Sequence, residues 1–324
     1  MERVLLLDPS IGSNNLGDEI IMECIRKELE FVTHDKYVLS LPTHVSSFHW
    51  YQVLRNSSAL QIYANCRYKF VGGSNLLVKK MLTHYPQWNI NLFNCAPLKG
   101  CVLVGVGASS HNSTDWYTRY LYRIFLNKNY VHSVRDERTR QYVEEELGLK
   151  AINTGCATMW MLTPDFCKSI PKKKSDEVVL TLTACTPIDN LDQILINILK
   201  DNYKNIYFWP QGLKDAEYFG KLKNTEGIEV LPATKDAYDS LLTQHNIDYV
   251  GTRLHGGIYA MRHRRRAIII AIDERAREIN KCNNLNCIEK SEIPDRLEQM
   301  IKSDFATEIQ MPFDEINHWR SQFL

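Results

Sequence analysis

The sequence predicts an α/β protein of two doubly wound domains that face each other across a cleft. Length, strand–helix alternation and one break in that alternation support this prediction. A length of 324 residues suggests about two domains. Short apolar runs alternate with segments whose apolar residues recur at helical spacing, as in parallel sheets covered by helices on both faces.

The first block of this alternation lies upstream of residue 150. In chain order it predicts a strand at 3–8, a helix at 17–30, a strand at 69–71, a strand at 101–106, a helix at 115–126, a strand at 130–134 and a helix at 136–147. The pair Gly72-Gly73 follows the second strand and predicts a tight turn there.

The alternation breaks at residues 163–176, which hold two prolines, three consecutive lysines and few apolar residues, a composition typical of a linker. Beyond it we predict strands at 178–183, 205–209, 228–231, 247–250 and 267–272 and helices at 191–200, 215–222, 235–245, 254–262, 275–281 and 293–302. The predicted organisation is an N-terminal domain at 1–165, a linker at 166–176, a C-terminal domain at 177–310, and a helix within 311–324 that packs back on the first domain.

Composition narrows the class of protein. The 39 basic and 38 acidic residues give a net charge of +1, which argues against a nucleic-acid-binding protein. The longest aliphatic run, 267–272, is too short to span a bilayer, and the N-terminus lacks the pattern of a signal peptide. Nine cysteines without a Cys-x-x-Cys pair predict free thiols and a cytoplasmic protein.

The strongest candidate site is the segment 251–257, GTRLHGG, which follows an apolar strand and opens a helix. Thr252 is the predicted N-cap, and the two terminal glycines would let a ligand approach the helix N-terminus. Arg253 offers a fork of donors for a carboxylate or phosphate, and His255 titrates near neutral pH. The alternative is a plain turn with a surface Arg and a packed His; its position at a strand end favours a ligand site.

A second candidate, residues 13–19, follows the first strand. Asn15 can cap the next helix, and Asp18 with Glu19 suits the first turn of that helix. Asp18 could equally accept hydrogen bonds from sugar hydroxyls or act as a base. The spacing leaves both interpretations open.

Three weaker segments complete the set. Arg135 ends a strand and precedes Asp136, a predicted N-cap. Gly105-x-Gly107 follows a strand, but Ser110 breaks the dinucleotide-binding fingerprint. The basic run 262–266 predicts a solvated helix end, with contact to anionic lipid or a pyrophosphate as the alternative.

Several of these segments together resemble a known family. The residues that carry the resemblance are, in order, Asn15, Gly17, Asp18, Gly72, Gly73, Leu76, Gly105, Gly107, Ser133, Arg135, Asp136, Gly251, Arg253, Leu254 and His255. They resemble the motifs of the polysaccharide pyruvyl transferase family and cover most of the chain. The resemblance implies a fold of two Rossmann-like domains, similar to the GT-B glycosyltransferase fold, with the N-terminal domain on the acceptor side and the C-terminal domain on the donor side. It also implies transfer of the enolpyruvyl group of phosphoenolpyruvate to paired hydroxyls of a sugar, forming a pyruvate ketal.

The resemblance also implies roles for individual residues. His255, Arg253 and Asp18 would be catalytic. The implied substrate-binding residues are Asn15, Gly17, Gly72, Gly73, Ser74, Gly105, Gly107, Arg135, Gly251, Leu254 and Gly256. Neither a metal nor a cofactor is implied. The implied partners are phosphoenolpyruvate and a sugar or lipid-linked glycan, with peripheral contact at the inner face of the membrane through 262–266 or surface aromatic residues.

The sequence departs from the family in two places. The stretch after Gly107, Ala108-Ser109-Ser110, is poor in glycine. A Lys is expected shortly after the last main strand, where Arg277 or Lys281 could take its place.

The residues fit the implied chemistry independently. A protonated His255 can deliver a proton to the enol carbon, and Arg253 can hold the departing phosphate. Two other functions compete with pyruvyl transfer: a glycosyltransferase of the same fold that uses a nucleotide sugar, and a non-catalytic sugar- or phosphate-binding protein.

Overall fold

The computed structural model describes residues 1–55, 58–83, 87–108, 113–185, 187 and 189–324. Ser109 and Ser110, which follow the Gly105-x-Gly107 segment, lie outside the described residues. The chain forms two compact units: unit 1 comprises Met1–Ser13, Ile21–Trp160 and Pro312–Leu324, and unit 2 comprises Asn14–Ile20 and Met161–Met311. The sequence pattern gave no sign that the short segment 14–20 belongs with the second unit.

Each unit holds one parallel sheet. The strands within the described residues are β1 (Arg3–Asp8), β2 (Tyr37–Pro42), β3 (Tyr68–Leu77), β4 (Val102–Ala108), β5 (His132–Val134), β6 (Ala151–Asn153), β7 (Glu177–Thr181), β8 (Asn205–Phe208), β9 (Ile228–Val230), β10 (Ile247–Gly251), β11 (Ala267–Ala271) and β12 (Cys287–Glu289). Their order is β2-β1-β3-β4-β5-β6 in unit 1 and β12-β11-β10-β7-β8-β9 in unit 2. These two sheets confirm the predicted α/β class.

The helices connect successive strands. They are α1 (Gly17–Glu28), α2 (Glu30–Thr33), α3 (Trp50–Leu54), α4 (Ser58–Ala64), α5 (Trp116–Phe125), α6 (Glu137–Gln141), α7 (Pro164–Cys167), α8 (Asn190–Asn202), α9 (Asp215–Phe219), α10 (Lys235–Gln244), α11 (Leu254–Arg262), α12 (Glu274–Asn283), α13 (Glu298–Lys302) and α14 (Phe313–Ser321). Short 3₁₀ or π turns lie at Ala96–Leu98, Tyr142–Glu146, Ala157–Met159, Lys290–Glu292 and Ile293–Leu297.

The strand order of unit 2 reverses between β7 and β10. The chain builds β7, β8 and β9 outward in one direction and then β10, β11 and β12 outward in the other. A crevice opens beyond the carboxyl ends of the strands at such a reversal, and ligands of doubly wound sheets bind there. In this chain β7 ends at Thr181 and β10 ends at Gly251. The sheet edge at these two residues is therefore a candidate ligand site.

The packing of α11 shows why glycines follow β10. All nine residues of this helix are buried. A Cβ on Gly257 would lie 2.6 Å from Ile269 Cγ1 and 2.8 Å from Tyr249 Cε1. The glycine therefore lets the helix lie directly on β10 and β11.

The Gly72-Gly73 pair does not form the predicted turn, because both glycines lie inside β3. A Cβ on Gly72 would collide with Met22 Sδ, and one on Gly73 would lie 2.9 Å from the carbonyl oxygen of Gly105. These glycines make room for α1 on one face and for β4 alongside.

The basic run 262–266 is largely structural. Arg262 and Arg266 are buried, so the prediction of a solvated helix end was wrong for both. Arg266 Nη1 donates to Asp248 Oδ2 at 2.8 Å, and its Nη2 donates to the carbonyl oxygens of Met300, Ile301 and Ser303. Burial raises the pKa of Asp248, an effect that the Arg266 charge opposes. Only Arg264 of this run is exposed.

The C-terminal helix α14 belongs to unit 1. Trp319 is fully buried, and its indole N–H donates to the Val131 carbonyl oxygen at 3.0 Å. Phe323 stacks on Tyr130. All nine cysteines are free thiols, six of them buried. The described residues contain no helix with the length and apolar character that a membrane crossing requires.

Candidate functional site

Arg253 stands at the reversal point of the unit 2 sheet. It occupies the N-cap position of α11, directly beyond β10, with φ −92° and ψ 99°. Thr252 is therefore not the N-cap, contrary to the prediction. Its hydroxyl instead donates to the Thr183 hydroxyl at 3.0 Å and joins the loop after β7 to the loop after β10.

Asp215 holds the guanidinium of Arg253. Arg253 Nε donates to Asp215 Oδ2 at 2.9 Å, and Nη2 donates to Oδ1 at 2.5 Å. The Asp215 side chain is fully buried, whereas the Arg253 side chain is 18% exposed. Asp215 also accepts from the Gly212 N–H at 2.7 Å and the Ala184 N–H at 3.1 Å. The sequence analysis did not identify Asp215, because it lies in a different helix with no local motif.

The backbone of Arg253 is fixed as firmly as its side chain. The Tyr249 hydroxyl donates to the Arg253 carbonyl oxygen at 2.6 Å and lies 2.5 Å from the Thr181 hydroxyl. Burial raises the pKa of Tyr249, so this hydroxyl stays a neutral donor. A Cβ on Gly251 would collide with Thr181 Oγ1, and this glycine therefore lets β7 and β10 meet closely.

The glycines of α11 contact protein groups, not an open space. A Cβ on Gly256 would lie 3.0 Å from Gln211 Oε1 and 3.3 Å from the ring of Tyr249. These glycines therefore serve packing, and ligand approach to this backbone stays a prediction. His255, the second residue of α11, is 5% exposed, and Leu254 before it is 4% exposed.

The structure brings the segment after β1 to the same edge of unit 2. Asn15 Oδ1 accepts from the Gly17 N–H at 3.0 Å, which confirms that Asn15 caps the start of α1. The same oxygen accepts from Gln211 Nε2 at 3.0 Å. Asp18, in the first turn of α1, is 7% exposed.

Gln211 lies between two of the predicted motifs. Its amide nitrogen contacts Asn15, and its amide oxygen lies beside Gly256 in the first turn of α11. Its backbone carbonyl accepts from the Leu16 N–H at 2.9 Å. Gln211 was missed by sequence reasoning, since no local pattern marks it.

Arg135 and its neighbours form a second group, in unit 1. Arg135 is 9% exposed; its Nη2 donates to Asn75 Oδ1 and its Nε to Asp136 Oδ2 at 3.2 Å. A Cβ on Gly107 would collide with Arg135 Nε, so this glycine makes room for the guanidinium. Asp136 Oδ1 accepts from the Thr139 N–H at 2.7 Å, as the N-cap prediction required.

The strand ends around Arg135 have irregular backbone. Ser74 has φ 140°, and the register between β3 and β4 shifts between Ser74 and Leu77. Gly105 has φ +61°, and its N–H donates to the Ser133 hydroxyl at 2.8 Å. The bulge turns the end of β3 so that Asn75 reaches Arg135.

A cavity of about 380 Å³ lies beyond β7, β11 and β12 in unit 2. Its lining includes Thr183, Ala184, Asp189, Arg277, Glu289 and Lys290. Arg277, one of the two residues expected to replace the family's Lys, therefore faces a cavity, whereas Lys281 is exposed elsewhere on α12. Lys290 was missed by the sequence analysis because it follows the short strand β12.

Lys290 balances a cluster of acidic groups. Its Nζ lies 2.8 Å from Asp189 Oδ2 and 2.9 Å from Asp192 Oδ1. Burial alone lowers the pKa of Lys290, but the hydrogen bonds to the two carboxylates raise it above its usual value. Cys185, Asp189 and Asp192 lie close enough to bind a cation, and the lysine ammonium already supplies that charge.

Fold and site together define a class: an α/β protein of two parallel-sheet units, with an ion pair between the buried Asp215 and Arg253 at the strand reversal of the second unit. A family model, polysaccharide pyruvyl transferase, matches residues 15–274. The chain belongs to the polysaccharide pyruvyl transferase family and is a transferase. No curated protein matches the sequence significantly.

One solved structure supports the fold assignment, and two others are also similar. The chain is similar to S. aureus MnaA in its complex with UDP, with a TM-score of 0.52, 10% identity, and coverage of 100% of this chain and 98% of that one. It also matches a Methanocaldococcus jannaschii UDP-GlcNAc 2-epimerase bound to UDP-GlcNAc and UDP (TM-score 0.49, 12% identity, 99% of both chains). A further match is the wall teichoic acid polymerase TagF (TM-score 0.45, 11% identity, 99% of this chain and 84% of that one). The similarity to MnaA confirms the predicted GT-B-like architecture.

Proposed function

We propose that this protein transfers the enolpyruvyl group of phosphoenolpyruvate to two hydroxyls of a sugar in a glycan or glycan precursor, forming a pyruvate ketal. The observation that carries the proposal is the oriented Arg253 guanidinium at the N-cap of α11, the helix whose second residue is His255. Family membership supports the pyruvyl group as the unit transferred.

Arg253 is suited to an anionic donor. Asp215 occupies its Nε and Nη2 atoms, and among the described residues no hydrogen bond engages Nη1. The guanidinium therefore offers its outer edge to a carboxylate or phosphate, which a planar fork binds through two hydrogen bonds. Phosphoenolpyruvate carries both groups.

His255 supplies the acid in this proposal. A protonated His255 gives its proton to the methylene carbon of phosphoenolpyruvate while a sugar hydroxyl oxygen bonds to the neighbouring carbon. The carbon–oxygen bond to phosphate then breaks, and Arg253 stabilises the negative charge on the departing phosphate. The second hydroxyl closes the ketal. One hydroxyl proton restores His255, and the other leaves with the products.

Asp18 is the proposed base for a sugar hydroxyl, at the start of α1 in the same unit. Asn15 and Gln211 hold the segment that carries it. The acceptor is proposed to be a sugar or a lipid-linked glycan, and a lipid-linked acceptor would place the reaction at the inner face of the membrane. Since Arg262 and Arg266 are buried, exposed aromatic residues such as Trp50 and Trp116 are the better candidates for that contact.

The test is mass spectrometry of a sugar panel incubated with phosphoenolpyruvate and the protein. A pyruvate ketal adds about 70 Da to the acceptor, and phosphate is released. We expect this product with the wild type and a loss of at least about 100-fold in turnover for His255→Ala and for Arg253→Ala.

Matched controls are His263→Ala, at the opposite end of α11, and Arg296→Ala, whose side chain is 59% exposed. Both controls should keep wild-type turnover. Near wild-type turnover of a folded His255→Ala or Arg253→Ala protein would refute the assigned role. If no acceptor gains this mass and the protein binds nucleotides in preference to phosphoenolpyruvate, the nucleotide-sugar glycosyltransferase is the correct function.

A further inference from the structure

We infer that Asp215 is a positioning residue that fixes the Arg253 guanidinium for the departing phosphate. This inference rests on the proposed function and adds to it a residue that neither the sequence motifs nor the family match identifies. It begins from the hydrogen bonds of a single buried carboxylate.

Each carboxylate oxygen of Asp215 accepts two hydrogen bonds. Oδ1 accepts from Arg253 Nη2 at 2.5 Å and the Ala184 N–H at 3.1 Å, and Oδ2 accepts from Arg253 Nε at 2.9 Å and the Gly212 N–H at 2.7 Å. Because the backbone donors fix the carboxylate, its position does not depend on the arginine. Asp215 can therefore orient Arg253, whereas Arg253 contributes less to the position of Asp215.

These contacts join three strand ends. Ala184 follows β7, Gly212 follows β8 and Arg253 follows β10. A Cβ on Gly212 would collide with Arg253 Nη2, so the guanidinium lies directly over this glycine. The carboxylate thus links the loops on both sides of the reversal point, where ligands bind in this class of sheet.

The pairing reserves one edge of the guanidinium for a ligand. Two parallel hydrogen bonds to Asp215 fix the plane of the group, and no hydrogen bond from a described residue engages its Nη1. An arginine without this support would have to lose side-chain freedom as negative charge develops on the departing phosphate. Asp215 removes that cost before the transition state is reached.

The negative charge of Asp215 also predicts a particular kinetic signature. It offsets part of the Arg253 charge, so the pair attracts a ground-state phosphate less strongly than a lone arginine would. Asp215 instead holds the N–H donors of Arg253 where negative charge develops as phosphate leaves. Interactions that form only in the transition state raise kcat without lowering KM to the same extent. Disturbing Asp215 should therefore lower kcat with little increase in KM.

The test uses Asp215→Glu in the full-length protein. One extra methylene keeps the charge and displaces the guanidinium by about 1 Å, which can cost about 100-fold in rate. We expect kcat for pyruvyl transfer to fall by about that factor, while KM for phosphoenolpyruvate changes by less than about fivefold. In a protein that already carries Arg253→Lys, Asp215→Glu should lower kcat by less than about a further threefold, because the two residues act as one unit.

The control is Asp248→Glu, which disturbs a second buried Asp–Arg pair at the opposite end of β10. It should lower stability yet leave kcat per folded molecule unchanged. If Asp215→Glu does not fold, Asp215→Asn is measured in the same way.

Two results overturn the inference: kcat of the Asp215 variant within about threefold of an active wild type, or full additivity with Arg253→Lys. If the wild type itself forms no ketal, the proposed function fails. Calorimetric binding of inorganic phosphate then tests the inference alone. Additive effects of the Asp215 and Arg253 changes on phosphate binding would overturn it.

Discussion

Two arginines next to β10 show how the same residue type takes opposite roles. Arg253 and Arg266 each pair with a buried aspartate, Asp215 and Asp248 respectively. The Arg253 side chain is 18% exposed, and no hydrogen bond from a described residue engages its Nη1, whereas the Arg266 side chain is 1% exposed and binds three backbone carbonyls. Sequence patterns place both residues beside a strand, but only the structure shows that Arg266 is enclosed by protein groups.

His132 predicts a pH dependence of stability. It is fully buried; its Nδ1 accepts from the Leu103 N–H at 3.2 Å, and Nε2 lies 2.9 Å from the Asn127 carbonyl oxygen. Burial lowers the pKa of His132 from 6.5 to about 4, and the Asn127 hydrogen bond opposes this only in part. Between these pH values the unfolded chain binds a proton that the folded chain excludes. Stability should therefore fall as pH decreases from about 6.5 towards 4, by about 3 kcal/mol in total.

The measurement is the free energy of unfolding in urea between pH 7.5 and about 4.5. His132→Gln is the comparison, since its amide can accept from Leu103 and donate to Asn127 without titrating. The variant should lose less stability than the wild type over this range. Parallel pH profiles for the two proteins would rule out His132 as the source of the dependence.

At the scale of elements, the contact between β7 and β10 depends on Gly251. An added Cβ would collide with Thr181 Oγ1 and lie 2.5 Å from the Thr181 carbonyl oxygen, a backbone atom that cannot move aside alone. We expect Gly251→Ala to destabilise the protein by about 3 kcal/mol through overpacking. Gly220→Ala is the matched control, since its nearest neighbour would be 3.6 Å away. Equal unfolding free energies of the two variants in urea would contradict this account.

The elements that the sequence predicted are those with a clear apolar pattern. The strands β4, β7, β10 and β11 are buried on both faces and were predicted within a few residues. By contrast, β2 was missed because it is an edge strand, and none of its six residues is fully buried. Gly72 and Gly73 suggested a turn because local rules cannot detect the Met22 and Gly105 contacts that require glycine inside a strand.

At the scale of the whole molecule, the site combines residues that are distant in sequence. Arg253 and His255 could be proposed from the sequence, because glycines and a strand end surround them. Asp215 lies 38 residues before Arg253, and Gln211 contacts Asn15 across 196 residues. Neither carries a local motif, so only folding reveals the two partners.

The C-terminal helix predicts how distant parts of the chain support one another. Trp319 is fully buried, bonds the Val131 carbonyl oxygen and packs on Phe70 of β3, so α14 completes the core of unit 1. Trp319→Ala should lower the free energy of unfolding by about 3–5 kcal/mol through the cavity that it leaves. Trp116→Ala removes an indole that is 74% exposed and should cost less than about 0.5 kcal/mol. Urea unfolding of both variants measures the difference, and a Trp319 variant as stable as the Trp116 variant would show that unit 1 folds without α14.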